Sequence, residues 1–164
     1  MITRYILVAE RLKAELQALE QVVRRAESAL AKAKQYPQDQ DYFLAAAALD
    51  LHSFYSGIER LFEVIASSID NSQPSGRQWH RDLMAQMTLE VADLRPAVLS
   101  TETQAALLEY LEFRHVVRNV YTFNLRPTRV AELVTNLRLA FTLAQRDLQN
   151  FVVFLEGLST ADDS

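Results

Sequence analysis

The sequence predicts an all-α fold, an up-down bundle of four main helices with one short helix added. Three observations predict it. Apolar residues recur in unbroken steps of four and three along three long segments, the seam of one helix packed on another. Only three glycines and four prolines occur in 164 residues, too few turn formers for a β-sandwich or barrel. No strand-like alternation and no repeat of solenoid period interrupts the helical rhythm. The length fits one domain, and 49% apolar with 23% charged residues is a globular rather than a disordered composition.

The first helix is read from Tyr5, Ala9, Leu12, Leu16, Leu19, Val23, Ala26, Leu30 and Ala33, with Arg11, Lys13, Glu15, Glu20, Arg24 and Glu27 on its solvated face. It should end near Tyr36-Pro37, because a residue before proline is pushed out of the α region. The second helix carries Leu44, Ala48, Leu51, Tyr55, Ile58, Phe62, Ile65 and Ile69, with Asp41 as its expected N-cap. The stretch from Asp70 to Gly76 is the strongest break and the expected most mobile connection. A short third helix is expected from about Arg77 to Thr88, and Leu94-Arg95-Pro96 interrupts the pattern again. Ser100 should cap a fourth helix that runs through Leu107, Leu108 and Leu111 to about Tyr121. The last helix carries Val130, Val134, Leu137, Phe141, Ala144, Leu148, Phe151, Leu155 and Leu158. The domain is therefore expected over residues 1–158, with 159–164 a disordered acidic tail. Val22, Phe43, Leu61, Val152 and Phe154 fall off the seams, so their cover is expected from the short helix or from a second subunit.

The absence of cysteine excludes a disulfide scaffold, a thiol nucleophile and a cysteine-type zinc site. A net charge of −4 argues against wholesale attraction to nucleic acid, which would need a local basic patch. No apolar run reaches membrane-spanning length and the N-terminus lacks a signal-peptide pattern, so a soluble cytoplasmic protein without membrane contact is the expectation. His52, His80 and His115 fall on three different helices without a His-x-x-x-His pair, so no metal is expected. Neither a glycine-rich phosphate loop nor a Gly-x-Ser-x-Gly elbow is present, and no cofactor is expected. Trp79, Tyr5 and Tyr55 read as core, His52 as a satisfied, partly buried side chain, and His80 as a helix-end hydrogen-bonding residue.

Chemistry concentrates between Glu112 and Phe123. Arg114, Arg118, Arg126 and Arg129 place four guanidinium groups within sixteen residues of an otherwise acidic chain. If the helix continues, Arg114, Arg118 and Tyr121 share one stripe, with His115 and Asn119 on the neighbouring one. Two arginines beside a tyrosine and a histidine suit bidentate phosphate binding and base stacking. The plainer alternative pairs Arg114 and Arg118 with Glu112, Glu109 or a carboxylate on a facing helix.

Phe113-Arg114-His115-x-x-Arg118-Asn119-x-Tyr121 resembles the signature of the HEPN superfamily, specifically of HepT-like proteins. Two further segments fit that subfamily: the run from Phe54 to Phe62, and Trp79-His80-x-x-Leu83, so the resemblance spans roughly residues 40–135. It implies an all-helical homodimer whose motif helices meet across a cleft to form a metal-independent ribonuclease acting on RNA. It also implies a partner, a minimal nucleotidyltransferase antitoxin that attaches AMP to the motif tyrosine. Carried onto this chain, Arg114 is the motif arginine and Tyr121 the motif tyrosine and modification site. Arg118, Arg126 and Arg129 are candidates for holding RNA phosphate.

The motif histidine position is occupied by Asn119, whose amide cannot serve as general acid or base near neutral pH. Two readings follow. In one, Asn119 holds a substrate oxygen and His115 takes over proton transfer, although a helix sets His115 about 100° and Asn119 about 140° around from Arg114. In the other, catalysis is lost and the domain binds a nucleotidyltransferase or nucleic acid without cleavage. A purely structural helical adaptor is the third reading.

Overall fold

The computed structural model describes residues 2–121 and 124–161. Five α-helices account for most of them: α1 Ile2–Gln35, α2 Gln40–Ile65, α3 Trp79–Met87, α4 Thr101–Asn119 and α5 Pro127–Ala161. Among the described residues there is no strand, only an isolated bridge between Val91 and Arg95. The expected all-α bundle of four main helices and one short helix is what forms.

Side-chain pairs give the direction of each helix. Arg60 reaches Glu15 at 3.0 Å and Arg25 reaches Asp50 at 3.6 Å, so α2 runs antiparallel to α1. Lys13 meets Glu156 at 2.8 Å, while Arg138 grips Glu20 at 2.8 Å and Glu27 at 2.6 Å, which sets α5 antiparallel to α1. The Tyr110 hydroxyl donates to the Leu133 carbonyl at 2.7 Å and Ser100 N–H to Asp147 at 2.9 Å, which sets α4 antiparallel to α5. The four long helices thus close an up-down-up-down ring in which α1 and α4 each pack on both α2 and α5. The short α3 lies against α2 and α4.

The four-three seams are the core. All seam residues of α2 are buried; on α1 Tyr5 and on α5 Leu158 are half-buried while the rest are buried. Phe54 stands edge-on to Tyr110 (centroids 5.5 Å) and to Phe141 (6.2 Å), joining α2, α4 and α5. α1 and α2 approach closely at Gly57, where a Cβ would lie 2.6 Å from Leu19 Cδ2 and 2.9 Å from Glu15 Oε1. Leu61 and Val152 are buried and Val22, Phe43 and Phe154 pack half-buried on the same core. One chain covers its own off-seam residues, so they do not call for a second subunit.

The helix ends follow local chemistry. Pro37 opens a 3₁₀ turn, Pro37–Asp39, that runs straight into α2. Asp39 therefore holds the N-cap position without a side-chain cap, and the expected cap Asp41 sits inside the first turn, where its charge suits the helix dipole. α2 ends in a π turn, Ala66–Asp70, closed by Asn71 at φ 52°. The Ser100 hydroxyl accepts from Thr103 N–H at 3.2 Å, the expected cap of α4. α4 stops at Asn119, with Val120 extended, two residues before the expected end. α5 runs to Ala161 with Ser159 buried, so residues 159–161, expected in the tail, are helical. The rest of that tail, residues 162–164, lies outside the described residues, as do Thr122 and Phe123.

The link between α3 and α4 is pinned from below. The Arg95 side chain is fully buried and donates to Asp70 from Nε at 2.5 Å and from a terminal nitrogen at 2.7 Å. It also donates to the Leu89 carbonyl at 2.7 Å and the Gln86 carbonyl at 3.2 Å. Gln86 donates to the same Asp70 carboxylate at 2.8 Å. This network fixes α3 onto the end of α2 and so positions the site described next.

Candidate functional site

His52, Ser56 and Glu59 occupy one stripe of α2 and look across at Arg114 and Arg118 on α4; α3 adds His80. Glu59 is 4% exposed. A carboxylate that deep stays charged only with partners. His80 Nδ1 lies 2.6 Å from its Oε2, and an Arg114 terminal nitrogen 3.8 Å from its Oε1. Arg114 Nε donates to Ser56 Oγ at 3.3 Å, and its other terminal nitrogen lies 3.4 Å from His80 Nδ1. The Trp79 ring packs on the His80 ring with centroids 3.7 Å apart.

Neighbouring groups respond to this charge. Burial lowers the pKa of His52, and the positive Arg114 and Arg118 lower it further, so its ring is neutral near neutral pH. Burial pushes the Tyr55 phenol far above its ordinary pKa, and the Glu59 charge adds to the rise. Tyr55 is therefore a core hydroxyl rather than a proton carrier, as its seam position predicts.

A groove of about 710 Å³ opens above this cluster. Arg114, His115, Arg118 and Asn119 line its α4 side, and Arg77, His80 and Arg81 its α3 side. Arg81 is answered by Glu112 at 3.2 Å. Arg118, His115 and Asn119 are exposed, whereas the Arg114 side chain keeps only 17% of its surface.

The arrangement departs from the sequence expectation in two ways, and for Arg114 it follows the plainer alternative. Tyr121 does not continue the stripe of Arg114 and Arg118, because the helix ends at Asn119 and the chain turns extended at Val120. The Asn119 amide takes part in that ending by donating to the His115 carbonyl at 2.7 Å. The four arginines form two pairs rather than one patch. Arg126 and Arg129 line a separate depression of about 350 Å³ with Phe113 and Leu125. There Arg129 meets Glu132 at 3.5 Å and Glu109 at 3.8 Å. Lastly, Arg114 takes the facing-helix carboxylate of the plainer alternative, and that carboxylate is Glu59. It is held inside one protomer while still walling the groove.

The sequence assigns no site role to Glu59 and Ser56, which lie in the Phe54 to Phe62 run, nor to Arg77 and Arg81, and it reads His80 as a helix-end residue. Glu59 left a signal. It stands four residues after Tyr55 and three before Phe62, so a charge occupies a core-facing position of the α2 seam.

A sequence model described as HepT-like protein matches residues 46–155. Neither a curated protein nor a solved structure matches the chain.

Proposed function

From the premise that this chain belongs to the HepT-like proteins, matched over residues 46–155, we propose that it is the toxin of a toxin–antitoxin pair and a metal-independent endoribonuclease. One observation carries the reading: the motif positions Arg114, His115, Arg118 and Asn119 wall a single groove, to which Arg77 adds positive charge beside the Arg81–Glu112 pair, in an otherwise acidic chain. Such a groove suits the sugar-phosphate chain of RNA. The 2′-hydroxyl attacks the adjacent phosphorus, and Arg114 stabilises the charge that develops on the phosphorane.

Two further features support the reading. Val116, Val120 and Tyr121 are exposed at the end of α4, an apolar margin suited to a second copy of the chain beside the groove. Tyr121 is 72% exposed, within reach of a nucleotidyltransferase antitoxin that moves an adenylyl group from ATP to its hydroxyl and releases pyrophosphate.

Incubation with RNA in EDTA tests the activity. Cleavage is expected, with loss in Arg114→Ala; an intact RNA substrate overturns the reading. Asn119 favours a second reading, a domain that binds without turnover, because its amide is neither an acid nor a base near neutral pH and it closes a helix end. That reading expects a stable complex with the nucleotidyltransferase, no cleavage by the natural chain, and new cleavage in Asn119→His.

A further inference from the structure

We propose that His80, oriented by the buried Glu59, is the proton-transfer group of this groove, and that it does the work the motif position held by Asn119 does not. The inference rests on the ribonuclease reading above.

The geometry selects His80 among the three histidines. His115 is exposed, and its Nδ1 faces the Asn119 amide at 3.5 Å rather than a carboxylate. His52 lies under the two arginines and is held neutral by burial and by their charge. His80 alone is tied to a buried carboxylate, at 2.6 Å, while also lining the groove. A carboxylate accepts and does not donate, so the proton of the neutral ring sits on Nδ1. Nε2 then carries the lone pair, on the edge of the ring turned away from Glu59. Trp79, stacked at 3.7 Å, fixes the ring plane. Arg114 lies 3.8 Å from the same carboxylate, so the guanidinium that steadies the phosphorane and the base that starts the attack share one buried anchor, Glu59. A carboxylate, an imidazole and a charge-stabilising donor in this order make a general base whose tautomer and orientation are set before substrate arrives.

The step balances without a metal or an oxidant. His80 Nε2 takes the proton of the RNA 2′-hydroxyl as O2′ bonds to phosphorus. The P–O5′ bond breaks, and the protonated imidazole returns its proton to the leaving 5′-oxygen. The products are a 2′,3′-cyclic phosphate and a 5′-hydroxyl. Glu59 is a positioning residue, since it acts through His80.

The test uses the full chain, a labelled single-stranded RNA and its 2′-deoxy counterpart, all in EDTA. His80→Asn keeps a donor for Glu59 and removes Nε2. It should lose cleavage by about 10²–10⁴-fold with RNA affinity unchanged. Added imidazole should restore part of the rate to His80→Ala. Glu59→Gln should lower kcat and leave KM in place. The natural chain should leave the 2′-deoxy strand whole and give cyclic phosphate ends on RNA. A His80→Asn protein that cleaves at the natural rate overturns this inference and leaves the ribonuclease reading standing. So does a parallel loss of RNA affinity, or a His80→Ala protein deaf to imidazole. A natural chain that cleaves no RNA overturns the ribonuclease reading, and this inference with it.

Discussion

Arg95 shows at the scale of one residue how much of this fold hangs on charges placed out of water. Its guanidinium has no exposed surface and Asp70 keeps 6%. Removing the arginine leaves a buried carboxylate with only Gln86 to answer it. Arg95→Ala should therefore lose about 3–5 kcal/mol, read as a drop in the urea midpoint. Asp147 makes a pH prediction. Burial works to raise its pKa, but Ser100 N–H and the Thr103, Arg146 and Ser100 side chains outweigh it and hold it below the ordinary carboxylate value. The folded state thus releases the proton more readily than the unfolded chain. The stability this gives is complete above the unfolded pKa of about 4 and is lost as pH falls through the lower folded value. Urea melts of Asp147→Asn should show a shallower loss of stability below about pH 4 than the natural chain. Arg95 and Asp147 could not be read from the sequence, because each is buried by contacts between segments far apart in the chain. Glu59 could have been, since its partners are distant but its core-facing position is local.

At the scale of elements, local chemistry was legible and its limits were instructive. Ser100 was readable as a cap because the signal lies within four residues. Replacing it with alanine should cost about 1 kcal/mol, with some further loss because Asp147 also binds its hydroxyl. The end of α4 was not readable. No proline or glycine stops the run from Arg114 to Tyr121, and the Asn119 amide that folds back on the His115 carbonyl competes with the helix only once the chain leaves it. Gly57 is the reverse case, a residue that weakens a helix for the sake of packing. Alanine there gains roughly 0.5–1 kcal/mol of helix propensity. It also drives a methyl group against Leu19, which is 1% exposed and has no room to yield. Overpacking of this kind costs about 1–3 kcal/mol, so Gly57→Ala should lower the melting temperature.

The bundle as a whole was legible because its seams are strict repeats, and periodicity needs no knowledge of partners. The groove was not, since it is assembled from α4 and the start of α3, two segments whose meeting the sequence does not announce. Two predictions belong to this scale. Light scattering on the 18.7 kDa chain should report twice that mass, and Val120→Asp should return it to the monomer. RNA affinity should fall with salt. If Arg77, Arg81, Arg114 and Arg118 meet four phosphates, log K should drop with log salt at a slope of about −3. No described helix is long and apolar enough to cross a membrane, so the exposed apolar margin of α4 does not belong to a spanning segment.

The clamp of Arg95 on Asp70 and Gln86 has a consequence for ligand entry. Because α3 is anchored through it, the two banks of the channel stand at a set spacing before anything arrives. If RNA is the ligand, a strand would meet a mould already cast, and the toll for shaping the receptor would be small.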